Sequence, residues 1–161
     1  KSKGHLYEGG IRVPLIVRWP GKVKAGTTSS TPVISMDFYP TFLEVAGLKL
    51  GKKPIDGESI LPLLRQTGKL QREEIYFHFP NYAWHMDNRL AGAVRSDNWK
   101  LIRNYDDDSL ELYDMSKDLS EKNNLVVMRP KIATRLNRDL TQWLKETNAP
   151  MPRPPKALPK K

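Results

Sequence analysis

A chain of 161 residues has room for one domain with a modest core, or for one domain joined to a piece of another. It has no cysteine, which excludes a disulfide framework, a thiolate zinc site and a thiol nucleophile within these residues, and no apolar run approaches the length of a membrane span. The net charge of +9 raises the question of nucleic acid, but Arg153, Lys156, Lys160 and Lys161 gather at one end and most other Lys and Arg are interleaved with acids, as in Arg72-Glu73-Glu74, so a solvated basic surface is expected, with no nucleic acid and no membrane as partner.

Residues 1–12 read as a Gly-rich loop, in which Gly9-Gly10 allows backbone angles and close approaches that a Cβ forbids. Val13 to Trp19 is a short apolar run rich in β-branched residues, the pattern of a buried strand, and Pro20-Gly21 ends it. A polar loop follows from Lys22 to Ser30. Ser35 or Asp37 caps a helix through Leu48, with Pro40 in its first turn and Gly47 at its stop. Phe38, Phe42 and Val45, with Ala46, make the apolar face of that helix. A strand followed by a helix is an α/β unit, and a strand at 13–17 without neighbours would expose unpaired backbone groups. The remainder of its sheet, and the residues that begin the domain, are therefore expected from polypeptide upstream of residue 1.

Gly51, Pro54, Gly57, Pro62 and Gly68 punctuate the next stretch, which reads as a linker and domain boundary. Glu73 to Phe79 alternates as a strand. Leu90 to Arg95 and Trp99 to Tyr105 flank Ser96-Asp97-Asn98 as a hairpin with a three-residue turn, and Asp106-Asp107-Asp108 turns the chain into a strand at Leu110 to Tyr113. Pro130 starts a helix whose apolar stripe is Ile132, Leu136, Leu140, Trp143 and Leu144. The expected class is α/β, with an α+β C-terminal part. Residues 1–50 would end an α/β domain, 51–72 link, 73–149 form an antiparallel sheet of about four strands under a helix, and 150–161 form a Pro/Lys-rich tail.

The run Lys3-Gly-His-Leu-Tyr-Glu-Gly-Gly-Ile-Arg-Val-Pro-Leu-Ile-Val-Arg-Trp-Pro-Gly21 resembles the stretch that closes the catalytic domain of type I sulfatases, of the alkaline phosphatase superfamily. Arg95-Ser-Asp-Asn-Trp-Lys-Leu-Ile102, Glu111-Leu-Tyr-Asp-Met115 and Lys117-Asp-Leu-Ser-Glu-Lys-Asn-Asn-Leu125 resemble the late pattern of the same family. The resemblance implies a sulfuric ester hydrolase of which this chain is the C-terminal portion, with Lys3 contacting the substrate sulfate. An ammonium fixed beside the charge that develops as an S–O bond breaks lowers the barrier electrostatically. Taken alone, Lys3 reads as a solvated lysine. His5, two residues on, either donates to an anionic substrate or bonds a backbone carbonyl. Tyr7 and Glu8 read as structural, with Glu8 gathering loop N–H groups or pairing with Arg12.

Tyr76-Phe-His-Phe-Pro-Asn-Tyr-Ala-Trp-His85 resembles a family segment that lines the substrate pocket, which makes His78, Tyr82 and His85 candidates for substrate binding, while Tyr76 and Phe77 read as core. The resemblance further implies a sulfated small molecule or glycan as substrate, a formylglycine nucleophile, calcium, and a periplasmic or extracellular location. The nucleophile and the calcium ligands are expected outside this chain: Ser30-Thr31-Pro32-Val33-Ile34 has Ile where the formylglycine motif requires Arg. The fragment alone is expected to be inactive, needing the remainder of the catalytic domain. A phosphodiesterase or phosphonate monoester hydrolase of the superfamily, and a non-catalytic glycan- or anion-binding module, stand as alternatives.

Overall fold

The computed structural model describes residues 4–52, 54–81 and 88–152. The element order is α1 (Glu8–Ile11), a 3-10 turn (Ser35–Asp37), α2 (Phe38–Val45), α3 (Leu61–Arg65), β1 (Glu74–Phe79), β2 (Ala91–Ser96), β3 (Trp99–Asn104), β4 (Leu110–Asp114) and α4 (Pro130–Glu146). These elements fall into two compact units, one made of Lys1–Val13 with Glu74–Lys161 and the other of Pro14–Glu73.

The first unit is the antiparallel meander that the alternation predicts, in the order β1-β2-β3-β4. The register pairs Tyr76 with Val94, Val94 with Leu101, and Leu101 with Leu112. Because side chains alternate across a strand, those residues share one face. Helix α4 lies on that face and buries Ala133, Leu136, Leu140 and Leu144 against Val94, Leu101 and Leu112, with Ile132 and Trp143 at the margin. Trp143 also stacks flat on Tyr76, with ring centroids 4.9 Å apart. Pro130 opens the helix, and the helix closes with Asn148 in the left-handed region at φ +49° while Ala149 N–H reaches Leu144 O at 2.9 Å. The other face carries Ala91, Ala93, Ile102, Tyr113 and Met115, packed with Tyr7. At the β4 edge, Asn124 Oδ1 accepts from Leu112 N–H at 3.0 Å, and Leu125 N–H donates to Leu112 O at 2.8 Å, so that edge is covered.

Two local expectations give way in this unit. Ser96 pairs with Trp99 as a ladder residue, so the hairpin turn has two residues, Asp97 and Asn98, with Asp97 at φ +48°. Asp is among the few side chains that tolerate that region. The stretch read as a Gly-rich loop contains the helical turn α1, closed by Gly10 and Ile11 N–H groups on Tyr7 O and Arg12 N–H on Glu8 O. Among its glycines it is Gly4, at φ +96°, that uses the left-handed region.

The second unit departs further. No ladder forms at Val13 to Trp19 among the described residues, and with Val13 80% exposed and Ile16 88% exposed the expected buried strand is absent. The helix expected from Ser35 or Asp37 to Leu48 is the 3-10 turn followed by α2, and Gly47 at φ +70° stops it, with Leu48 N–H on Leu43 O at 2.8 Å. Its expected apolar face is turned outward, Phe42 being 67% exposed, while Asp37, Pro40 and Thr41 are buried. Hydrogen bonding explains the inversion. The Asp37 carboxylate accepts from Arg72 at 2.6 and 2.9 Å and from the N–H groups of Ile34 and Glu58 at 2.9 and 3.0 Å. Thr41 Oγ1 donates to Asp37 O and accepts from Ile60 N–H. Residues read as a linker thus fold back onto this polar face, with Ile60 and Leu61 buried. A Cβ on Gly57 would collide with the Met36 carbonyl, so that approach requires glycine.

Candidate functional site

The segment from Gly4 to Arg12 is fastened to the sheet face opposite α4 by two buried polar clusters. In the first, Glu111 is the hub: Tyr7 Oη donates to its carboxylate at 2.8 Å, Tyr113 Oη at 2.5 Å and Asn104 Nδ2 at 3.1 Å. Burial first, then the hydrogen bond and charge of Glu111, push both tyrosines well above the ordinary phenol range, so each hydroxyl keeps its proton and donates. In the second, Lys100, 1% exposed, extends its ammonium between Glu8 at 2.9 Å and Glu121 at 2.8 Å. Glu121 also accepts from Glu8 N–H at 2.6 Å, and Arg12 lies 3.6 Å from the Glu8 carboxylate. The expected pairing of Glu8 with Arg12 is therefore present, but the buried partner is Lys100. Arg95, on the same face, is held below its usual range by burial, opposed by the charges of Glu8 and Glu121.

Lys3 lies outside the described residues. The fastening bonds of the described segment that follows it are made at Tyr7 and Glu8. His5 is buried, with its ring centroid 6.1 Å from that of Tyr7.

His78 is placed elsewhere. It sits in β1 at the position opposite Gly92, on the α4 side of the sheet, and both ring nitrogens are engaged. Nε2 meets Pro150 O at 2.9 Å and Nδ1 meets Tyr105 Oη at 2.7 Å. A carbonyl can only accept, so Nε2 carries a proton and, in the neutral ring, Nδ1 accepts from the tyrosine. Burial raises the Tyr105 hydroxyl to about 12, which keeps it a donor. Gly92 makes the contact possible, since a Cβ there would run into the Tyr105 hydroxyl. His78 therefore ties the segment after α4 to the sheet, and the structure does not bring it together with His5, which flanks Tyr7 on the far face. Tyr82 and His85 lie outside the described residues.

The residues that sequence reasoning passed over are Lys100, Asn104 and Glu111. Strand parity was the available signal, because Lys100 and Asn104 flank the buried Ile102 on its own face.

The C-terminal model of N-sulphoglucosamine sulphohydrolases matches residues 2–149. The chain belongs to this sulfatase family. A sulfatase of Formosa agariphila is 38% identical over 163 residues, covering 92% of this chain and 30% of the relative. An N-acetylglucosamine-6-O-sulfatase of Bacteroides thetaiotaomicron is 39% identical over 151 residues, covering 91% of this chain and 26% of the relative. Among solved structures, BT4656 in complex with its substrate D-glucosamine-2-N,6-O-disulfate matches with TM-score 0.78 and 35% identity, over 91% of this chain and 31% of that one. The chain thus spans less than a third of the length of these relatives. The fold is that of the C-terminal end of an alkaline-phosphatase-like sulfatase. Its described residues do not fit the calcium or the formylglycine that the family resemblance implies. Among them no group of three or more His, Cys, Asp and Glu could hold a metal ion, and the chain has no cysteine.

Proposed function

We propose that this chain is the C-terminal part of an enzyme that hydrolyses sulfate monoesters of sulfated sugars or glycans, with Lys3 as its contact to the sulfate. The observation that carries the reading is the double fastening of Gly4 to Arg12 through Tyr7–Glu111 and Glu8–Lys100–Glu121. A flexible lysine loses much of its electrostatic benefit to side-chain and backbone freedom, whereas an ammonium on an anchored segment stabilises developing charge without reorganising. His5, next to that anchor, is the second candidate donor, and Tyr82 and His85 are candidate pocket walls. His78 holds the C-terminal segment instead. The sugar-sulfate substrate class is supported by the relative that is an N-acetylglucosamine-6-O-sulfatase and by BT4656 with its disulfated glucosamine. The nucleophile, the calcium and the rest of the catalytic domain would come from further polypeptide, and the protein would work in the periplasm or outside the cell.

The test is an assay of the full-length protein that carries this chain on aryl sulfate and aryl phosphate esters. Sulfate should be preferred, and Lys3→Ala should lower kcat by at least about a hundredfold. A preference for phosphate, a silent Lys3→Ala variant, or turnover by residues 1–161 alone would sink the reading.

A further inference from the structure

Asn88 stands where the loop that follows β1 meets the segment adjoining Lys3. It is 7% exposed. Its Nδ2 donates to Asn81 O at 3.2 Å, which closes the base of that loop. Because the Asn81 carbonyl can only accept, this bond also fixes the amide's orientation, with nitrogen toward Asn81 and oxygen away from it. The oxygen then points at Gly4: Oδ1 lies 3.5 Å from where a Cβ on that residue would sit. There the oxygen is enclosed and makes no hydrogen bond among the described residues. Buried acceptors in native proteins are almost always paired, so an unpaired one beside a proposed active-site segment is a ligand-directed feature.

The chemistry of the atom selects its ligand. An amide oxygen repels the oxygens of a sulfate, so it does not serve the anion. It accepts from O–H and N–H, the groups that a sugar carries beside its sulfated position. We propose that Asn88 is a specificity-determining residue whose Oδ1 accepts a hydrogen bond from a hydroxyl or amino group of the sugar bearing the sulfate. The assignment rests on the sulfatase reading above and adds to it a division of labour, in which the segment at Lys3 serves the anion and its neighbour Asn88 serves the carrier. A site built to hydrogen-bond a substrate donor discriminates strongly against analogues that lack it.

The experiment compares two probes on the full-length protein, glucosamine 6-O-sulfate and 4-nitrophenyl sulfate, the second having no donor to offer. Asn88→Ala should lower kcat/KM on the sugar sulfate by at least about tenfold while leaving the aryl sulfate within about threefold. Asn88→Asp keeps an oxygen at Oδ1 but gives up the bond to Asn81, so it should retain the wild-type ratio between the two substrates whatever it does to both rates. Parallel losses on both probes in the Ala variant would mean that Asn88 only supports the loop, and would overturn the proposal. If the Ala variant does not fold, a fall in the sugar-to-aryl ratio of Asn88→Asp overturns it equally. A wild-type protein that cleaves the aryl ester but not the sugar sulfate removes Asn88 from its role while leaving a sulfatase, whereas one that cleaves neither overturns the sulfatase reading and this assignment with it.

Discussion

A lysine ammonium with almost no exposure survives within a sheet only because two carboxylates meet it. Truncating Lys100 would strand Glu8 and Glu121 in a buried setting, so Lys100→Met should cost about 3–5 kcal/mol of unfolding free energy. The triple change Lys100→Met, Glu8→Gln, Glu121→Gln should recover much of that, because no unpaired charge remains. Urea unfolding of the two variants reads the difference, and equal stability of wild type and Lys100→Met would refute the anchoring role. Asp37 behaves differently. Burial by itself would raise its carboxyl, but the Arg72 bond, together with the Ile34 and Glu58 N–H groups, outweighs burial and holds it below the ordinary carboxylate range. A depressed folded pKa stabilises above the unfolded value near about 4 and is lost as pH falls through the lower folded one. Denaturation at a series of pH values should therefore show stability dropping below about pH 4. Arg72→Leu removes the hydrogen bond and charge that chiefly oppose burial, so this acid-side loss should shrink, and Asp37→Asn should remove this contribution to the profile altogether.

Among the elements, α4 and the four strands were legible because their periodicities and their burial partners lie within the same unit. The stripe Ile132, Leu136, Leu140, Trp143, Leu144 meets the sheet as the spacing requires, and Leu140→Ala should cost about 2–5 kcal/mol. Helix α2 was legible as a helix but not as to its buried side. Periodicity reports that one face is apolar, and it says nothing of whether a partner for that face is at hand. Here the polar side, Asp37 and Thr41, found donors and acceptors in residues 57–72 and took the interior. The same blindness hid Lys100 and Glu111, since charged residues read singly look solvated until their partners, tens of positions away, are placed. His78 was marked for its residue type, and only the coordinates reveal that Tyr105 and Pro150 consume both nitrogens. Gly92→Ala should disrupt that tie, lowering stability by about 1–3 kcal/mol through overpacking against the Tyr105 hydroxyl. Thermal unfolding together with amide exchange after residue 146 would register it.

At the scale of the molecule, the Pro14–Glu73 unit displays Ile16, Met36, Tyr39, Phe42 and Leu48 to solvent, each 49% exposed or more. Large apolar side chains exposed in this number favour association. Residues 1–161 in isolation should self-associate and bind a hydrophobic dye, and Ile16→Ser with Phe42→Ser should reduce both while changing stability by no more than about 0.5 kcal/mol. Sedimentation of the two proteins decides it; unchanged association would show that these side chains are not the contact.

The four-stranded sheet acts as a bulkhead. On one side, oil and a C-terminal helix; on the other, the wired segment that runs up to Lys3, with hardly a side chain belonging to both compartments. Natural drift can therefore rewrite the helix side, swapping its leucines and tightening or loosening its grip, without that remodelling being felt across the partition.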